Sequence, residues 1–330
     1  MLSCAVRSLA VLLTLAACSY KPGIGGDPQT DGPADDAPPI EADSGEDASP
    51  DAPPSPPSVC VQNWLAGTMT FTAPAFLRAN GGALATTLDE RDPFLSSDEL
   101  VLLYVRSNDI FLASRPNLTT DFNSPGVAAL SDATQADSKA TMSGDDLTAI
   151  VASQRANGEG ANDFWYGTRA TAGVTAFSAL TQTFLENVND TGEQRDPYLS
   201  ADGLHLYFAE SSNPQRIVLA SRLGTDQSFG TPVTVPDIGD LAGDADPTLT
   251  ADERVILFAS RRTGEGGIDL WYATRVERDQ PFSAPIALAE INSNEDDADP
   301  HLSSDGCRLY FSTRSTPGGG DFDLLFTQQE

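Results

Sequence analysis

DPYLSADGLHLYF, residues 196–208, is the stretch that decides the fold of this chain. It joins an Asp-Pro pair, a short apolar piece, a Ser-x-Asp-Gly turn and an alternating apolar segment. The glycine of such a turn supplies the positive φ that a tight hairpin needs. The same order of features recurs five times, and its starting pairs lie 45–59 residues apart. They are Asp92-Pro93, Asp137-Ser138, Asp196-Pro197, Asp246-Pro247 and Asp299-Pro300.

A self-similar period of about 50 residues, made of strand signals alone, is typical of stacked sheets such as propeller blades. In the third unit the pattern predicts four antiparallel strands, and Pro232 places the last of them at an outer edge. The predicted strands are 196–200, 204–208, 217–220 and 229–235. We therefore predict an all-β fold, a β-propeller of five four-stranded blades, for residues 59–330.

The outer strands carry a phenylalanine followed three residues later by proline, as in Phe122–Pro125, Phe229–Pro232 and Phe282–Pro285. Phe71–Pro74 has the same pattern but stands before the first unit, whereas the fifth unit ends too soon to own such a segment. We predict that this N-terminal segment supplies the outer strand of the last blade, which closes the ring and removes an exposed edge. The alternative is a sixth, degenerate blade within residues 59–91.

These units resemble the WD-like propeller repeat of TolB-type bacterial proteins, whose signature is an Asp-Pro pair followed by Ser-x-Asp-Gly. The resemblance covers Phe71 to Gln329 and implies a propeller. No second α/β domain precedes the repeats, so the resemblance does not imply a TolB-like role in the envelope.

The N-terminus reads as an export signal rather than as part of the fold. Residues 1–17 hold one positive charge and an apolar run that is too short to span a bilayer. Leu15-Ala16-Ala17-Cys18 resembles the lipobox of bacterial lipoproteins, which implies acylation of Cys18. Ser19 after that cysteine favours the outer membrane over the inner one. Residues 18–58, rich in proline and aspartate, predict a disordered tether behind the acylated cysteine.

The net charge limits the classes of partner that the chain can bind, and its cysteines bear on the compartment in which it folds. A formal net charge of −29 argues against binding to nucleic acid and against adhesion to anionic lipid. Cys4 leaves with the signal and Cys18 carries lipid, so Cys60 and Cys307 remain. Since an exported chain meets an oxidising compartment, these two form a candidate disulfide, with two separate thiols as the alternative.

Acidic residues cluster before and within each Asp-Pro pair. In a propeller these segments lead into the innermost strands, so we expect them to surround one mouth of the central channel. Converging carboxylate oxygens can hold a hard cation such as Ca²⁺, whereas the alternative is a set of solvated acidic loops. The candidate residues are Asp92, Asp137, Asp196, Asp246, Asp299, Glu193, Asp244 and Asp296.

The residue after each Asp-Pro pair differs between units, and Phe94, Tyr198 and His301 are examples. A position that varies among repeated units is not required by the blade itself. It faces either the channel or a seam between blades, and we treat these three as candidate ligand-facing residues. His205 lies within an alternating strand and is interpreted as structural.

No Ser-His-Asp or Cys-His arrangement, zinc spacing or phosphate loop is visible in the sequence. The sequence therefore predicts a non-catalytic, monomeric propeller in the bacterial envelope that binds a protein or a glycan. Its only attachment to the membrane would be its lipid, and Ca²⁺ is its only candidate cofactor. One alternative is a glycosidase-like carbohydrate-active enzyme with two carboxylates at the channel mouth. Another is a structural module that depends on a cation.

Overall fold

The computed structural model of the chain describes residues 57–173, 176–238, 243–264, 267–314 and 322–330. The predicted signal peptide, the candidate acylation site Cys18 and the tether up to residue 56 lie outside the described residues. In its described part, the chain has no helix with the length and apolar character that a membrane span requires.

The described elements are one helix and 21 strands. The N-terminal elements are α1 (Val59–Ala66), β1 (Ala75–Phe76), β2 (Arg78–Ala79) and β3 (Gly82–Ala83). Blade 1 holds β4 (Glu90–Leu95), β5 (Val101–Arg106), β6 (Asp109–Ser114) and β7 (Gly126–Val127), and blade 2 holds β8 (Asp137–Met142), β9 (Thr148–Ser153) and β10 (Asp163–Thr168). Blade 3 holds β11 (Gln194–Leu199), β12 (His205–Glu210), β13 (Arg216–Ser221) and β14 (Val233–Thr234), and blade 4 holds β15 (Ala245–Leu249), β16 (Val255–Ser260), β17 (Asp269–Thr274) and β18 (Ile286–Ala287). Blade 5 begins with β19 (Asp297–Leu302), β20 (Arg308–Thr313) and β21 (Asp323–Gln328).

These strands form the predicted five-bladed propeller. Each blade is an antiparallel sheet in which consecutive strands pair, and the first strand of each blade packs against the first strands of its two neighbours. The inner strands β4, β8, β11, β15 and β19 therefore surround a central channel. In blade 2 an antiparallel bridge between Tyr166 and Thr181 stands at the place of a fourth strand. The predicted all-β class and blade number are confirmed.

The ring closes by a strand from the N-terminus, as predicted. β1 pairs with β21, with Ala75 opposite Phe326 and Phe76 opposite Leu325, and a further bridge joins Phe71 to Gln329. The paired residues follow Pro74 directly, just as β7, β14 and β18 each follow the proline of their own segment. Blade 5 consequently contains strands from both ends of the described chain.

The segment 59–91 contains no sixth blade. Its first part is α1, which the sequence analysis did not anticipate. Ser58 caps the helix by accepting a hydrogen bond from the Val61 amide, and Gly67 ends it in the left-handed conformation. Trp64 Nε1 donates to the Gly306 carbonyl at 2.9 Å, so the helix rests on the turn between β19 and β20.

The propeller has two faces that matter for function. The inner strands begin at the face that we call the front face, which carries the loops 154–162, 189–193 and 292–296 among others. They end at the opposite face, the turn face, where the hairpins 96–100, 200–204 and 303–307 lie. Since α1 packs on the last of these hairpins, the N-terminal end of the described chain is fixed at the turn face.

A disulfide fixes the same end. Cys60 in α1 is bonded to Cys307 after β19, with a Cα–Cα distance of 5.1 Å and a sequence separation of 247 residues. Of the two readings of these cysteines, the structure has the disulfide. The covalent bond and strand β1 thus join the two ends of the described chain at one blade.

Candidate functional site: an aspartate ring with a lysine in the channel

Each Asp-Pro pair forms a bulge in the inner strand of its blade. The pairing of β4 with β5 shifts between Arg91 and Phe94, and the inner strands of blades 3, 4 and 5 shift at the matching place. The four aspartates of these bulges, Asp92, Asp196, Asp246 and Asp299, share a φ of 53–54°. Aspartate tolerates this left-handed backbone better than most residues, and a bulge accepts the missing amide of proline.

Blade 2 departs from this pattern, and its inner strand shows that our sequence alignment of the repeat was wrong there. β4 and β8 both have six residues, so Asp137 corresponds to Glu90, and Lys139 corresponds to Asp92. The alignment of Asp137-Ser138 with the Asp-Pro pairs was wrong because blade 2 lacks such a pair, and the nearest aspartate was taken for its counterpart. The fifth position of the ring is a lysine.

The side chains at these five positions meet in the channel. Lys139 Nζ lies 3.3 Å from Asp92 Oδ1 and 3.4 Å from Asp246 Oδ1, and the lysine side chain is 4% exposed. Asp92, Asp246 and Asp299 each offer a carboxylate oxygen, and these oxygens lie within 4.8 Å of one another. Asp196 lies beside them, and burial raises the pKa of its carboxyl while the charge of Lys139 lowers it.

Burial and mutual repulsion set the electrostatics of this aspartate ring. Burial, followed by the charge of Asp299, raises the pKa of Asp92 well above its usual range. Burial, followed by the charge of Asp196, does the same to the pKa of Asp246. For Lys139 burial lowers the pKa, but the carboxylates of Asp246 and Asp92 outweigh it, so the net shift is upward. The ring therefore holds protons at pH values where an exposed aspartate is ionised, while its lysine stays charged.

The cation in the aspartate ring is the ammonium group of Lys139. Ca²⁺ in proteins takes six to eight oxygen ligands. Here three carboxylates converge closely enough for a metal ion, yet the Lys139 ammonium lies among the same groups. A divalent cation would have to compete with that ammonium for Asp92 and Asp246.

The other predicted acidic residues do not join the ring. Each forms an ion pair with an arginine at the front face, which balances its charge locally. The pairs are Asp137 with Arg155 (3.3 Å), Glu193 with Arg195 (2.5 Å), Asp244 with Arg262 (2.6 Å) and Asp296 with Arg314 (2.8 Å).

The three candidate ligand-facing residues lie in seams between blades. His301 Nε2 accepts a hydrogen bond from the Leu95 amide at 3.2 Å, and burial lowers the pKa of His301 to about 3, so the ring is neutral. Tyr198 donates to the Leu249 carbonyl at 2.7 Å, across the seam between blades 3 and 4. The Phe94 ring packs on His301 with centroids 4.6 Å apart. These side chains border a narrow cavity of about 40 Å³ near the turn face, too small for a glycan.

Comparison with known proteins bears on the fold. No protein-family model matches the chain, and no curated protein matches it. Among solved structures, an endo-arabinase from Bacteroides thetaiotaomicron is similar with a TM-score of 0.52 and 15% identity, covering 78% of this chain and 97% of the other. A putative TolB from Agrobacterium tumefaciens has a TM-score of 0.44 and 16% identity, covering 74% and 91%.

The solved structures similar to the chain include TolB proteins and glycoside hydrolases. One of the latter, a thermostable family-43 glycoside hydrolase, has a TM-score of 0.49 and 13% identity, covering 74% of this chain and 89% of the other. At these identities the similarity concerns the fold alone.

The raised pKa values in the ring predict the behaviour of Asp92→Asn. A carboxyl whose folded pKa is raised stabilises the protein below its unfolded pKa, and this contribution is lost as pH rises. Asparagine cannot ionise, so Asp92→Asn should be more stable than the wild type at pH 7. The gain should shrink towards pH 4. Urea unfolding at both pH values measures it.

Asp132→Asn is the matched control because hydrogen bonds from Thr134 lower the pKa of Asp132. A carboxyl with a lowered pKa stabilises the protein above its unfolded pKa, so this variant should lose stability at pH 7 and less at low pH. An Asp92→Asn variant that is less stable than the wild type at pH 7 would contradict our account of the ring.

Proposed function

We propose that this chain is a lipid-anchored protein of the bacterial cell envelope whose propeller binds a partner protein without catalysis. The observation that carries the proposal is Lys139 among the ring carboxylates. A carboxylate cluster that is buried and neutralised by the chain's own lysine suits a role in holding the inner strands together. Binding is then left to the outer surfaces of the propeller, where loops from every blade are presented together.

The position of α1 favours the front face as the binding surface. Ser58 Oγ donates to the Asp305 carbonyl, and Cys60 is bonded to Cys307, so the chain reaches the propeller at the turn face. The N-terminal end of the described chain therefore occupies part of the turn face, whereas the loops of the front face are clear of it.

The charge of the front face favours a basic partner. Among the described residues, acidic side chains on this face outnumber basic ones, and Glu159 and Glu295 are exposed there. Complementary charge accelerates association and selects against wrong partners, and its effect weakens with salt. We infer a partner with a basic surface patch, which makes a protein a better fit than a neutral glycan.

Charge reversal on the two faces tests the proposal. The bait is the full lipoprotein, cross-linked in its native envelope, captured and analysed by mass spectrometry. Glu159→Lys/Glu295→Lys on the front face should lower the recovery of the partner at least tenfold. Glu277→Lys/Asp226→Lys makes the same charge change on exposed turn-face residues and should leave recovery unchanged. Equal recovery with both double variants would refute binding at the front face.

Glycoside hydrolysis is the second candidate, and one observation favours it. Asp92, Asp246 and Asp299 lie close together, and burial raises the pKa values of Asp92 and Asp246, which is the direction that a general acid requires. If the chain is such an enzyme, it should release reducing sugars from one of a panel of polysaccharides. Asp246→Asn should abolish that release while the protein stays folded, whereas no release by the wild type would exclude this candidate.

A further inference from the structure

The seam between blades 3 and 4 contains a cavity that the aspartate ring does not involve. Its volume is about 560 Å³, within the range of small-molecule pockets. We call it the seam cavity. It opens at the outer side of the seam, between the outer strand of blade 3 and the segment that follows β17. Its lining includes His205, Leu219, Val233, Val235, Arg278 and Phe282.

Comparison of two seams explains why the cavity is there. In the seam between blades 5 and 1, Glu99 accepts hydrogen bonds from Tyr310 at 2.5 Å and from Arg308 at 2.9 Å. Glu253 accepts from Tyr207 at 2.9 Å and contacts His205 Nδ1 at 2.8 Å in the seam between blades 3 and 4. The two clusters are built from the same repeat positions, so His205 takes the place of the longer Arg308.

Leu219, a second residue that lines the seam cavity, is also smaller than its counterpart in blade 5. Strand register places Leu219 opposite Val233 and Phe326 opposite Ala75, so Leu219 takes the place of an aromatic ring that stacks on Tyr310. Blade 1 also has a leucine at this position, Leu112, and it borders a smaller cavity of about 90 Å³. The seam cavity therefore lies where blade 3 has His205 and Leu219 and blade 5 has the longer Arg308 and the aromatic Phe326.

The polar end of the seam cavity selects a neutral group. Glu253 and Asp202 balance Arg275 and Arg278 through close ion pairs, so an added charge would be unpaired. His205 Nδ1 lies 2.8 Å from Glu253 Oε2, which accepts hydrogen bonds, and 3.0 Å from an Arg278 nitrogen, which donates them. Nε2 of His205 therefore either accepts or donates, depending on the tautomer. Arg278 Nε is a buried donor with no partner among the described residues. A hydroxyl group, being both donor and acceptor, suits these two sites.

The rest of the lining is mostly apolar, with Thr234, Asp279 and Gln280 as its polar members. Its aliphatic and proline residues are Leu219, Val233, Val235, Pro236 and Pro281, while the aromatic rings of Tyr207 and Phe282 are almost fully buried. Such walls favour an alkyl chain over a sugar, since burial of apolar surface supplies the affinity.

We propose that the seam cavity binds a small neutral amphiphile, an alkyl chain with a hydroxyl head. The alkyl chain lies against Leu219, Val235 and Phe282, and the hydroxyl forms a hydrogen bond with His205 Nε2 and accepts one from Arg278 Nε. This site is independent of the front face and of whatever partner binds there.

The test uses 1-octanol and the full chain with Cys18→Ser, which carries no acyl group of its own. Saturation-transfer NMR and isothermal titration calorimetry measure binding. Octanol should bind, and octanoate of the same chain length should bind at least tenfold more weakly. Octanoate binding as tightly as octanol, displacement of octanol by saccharides, or no binding of octanol up to its solubility limit would each overturn the proposal.

Matched variants locate the site. Leu219→Phe introduces the aromatic side chain that blades 2, 4 and 5 have at this position, and it should weaken octanol binding at least tenfold. Leu112→Phe makes the same change at the equivalent position of blade 1 and should leave it unchanged. If Leu219→Phe fails to fold, Val233→Trp narrows the mouth from an exposed position, with Ile286→Trp at the equivalent exposed position of blade 4 as its control. Octanol binding that none of these changes affects would refute the seam cavity as the site.

Discussion

Lys139→Met should lower the free energy of unfolding by about 3–5 kcal/mol at pH 7, because it leaves buried carboxylates without their cation. Lys139 is 4% exposed and lies within 3.4 Å of both Asp92 and Asp246. Methionine keeps much of the length and volume of the lysine stem, so the lost charge dominates the effect. Chemical denaturation followed by tryptophan fluorescence measures the change.

The pH dependence distinguishes this effect from lost packing. Without Lys139 the pKa values of Asp92 and Asp246 rise further, so the carboxyls take up protons and the penalty becomes smaller as pH falls towards 4. Adding Asp246→Asn to Lys139→Met should restore part of the stability at pH 7, whereas Arg195→Met, which breaks a half-exposed pair, should cost less than about 1 kcal/mol. A Lys139→Met variant as stable as the wild type at pH 7 would show that the ring does not depend on its lysine.

Cys60→Ser/Cys307→Ser should lower the free energy of unfolding by about 2–5 kcal/mol. The disulfide spans 247 residues, so its loss greatly increases the freedom of the unfolded chain. It also releases α1 from the turn between β19 and β20. For a domain of this size the melting temperature should fall by roughly 5–15 °C.

Reductant supplies the control for the disulfide. The wild type should melt at a lower temperature when reduced, close to that of the double variant. The double variant itself should be insensitive to reductant. Equal melting temperatures for the oxidised wild type and the double variant would mean that strand β1 alone closes the ring.

The propeller was predictable because its signals are local and repeated. The Asp-Pro pair, the turn and the alternating strand recur in most units. The segment Phe71–Pro74, which belongs to none of the five units, predicted the closing strand. The helix α1 was missed because eight residues give little periodicity, although Ser58 and the apolar pair Val61 and Trp64 are its signal. Blade 2 has Leu180 where other blades have proline, which hid its outer segment.

The candidate site was predicted in part. The sequence pointed to aspartates at the channel, and the structure brings Asp92, Asp246 and Asp299 together with Asp196 beside them. Lys139 was missed because it stands where the other blades have aspartate, and a repeated pattern identifies only the residues that recur. The seam cavity depends on how blade 3, with its Leu219, packs against blade 4, and a single sequence does not show such a space.

The closure of blade 5 has a consequence for how the chain is made. Strand β1 is synthesised long before its partner β21, so it waits unpaired while the intervening blades form. A chain that stops before Asp323 would leave both β1 and β20 with open edges, which invite aggregation and proteolysis. An incomplete chain is therefore unable to close into a propeller with fewer blades. The ring closes only after the C-terminal strand β21 has been made and has paired with β1.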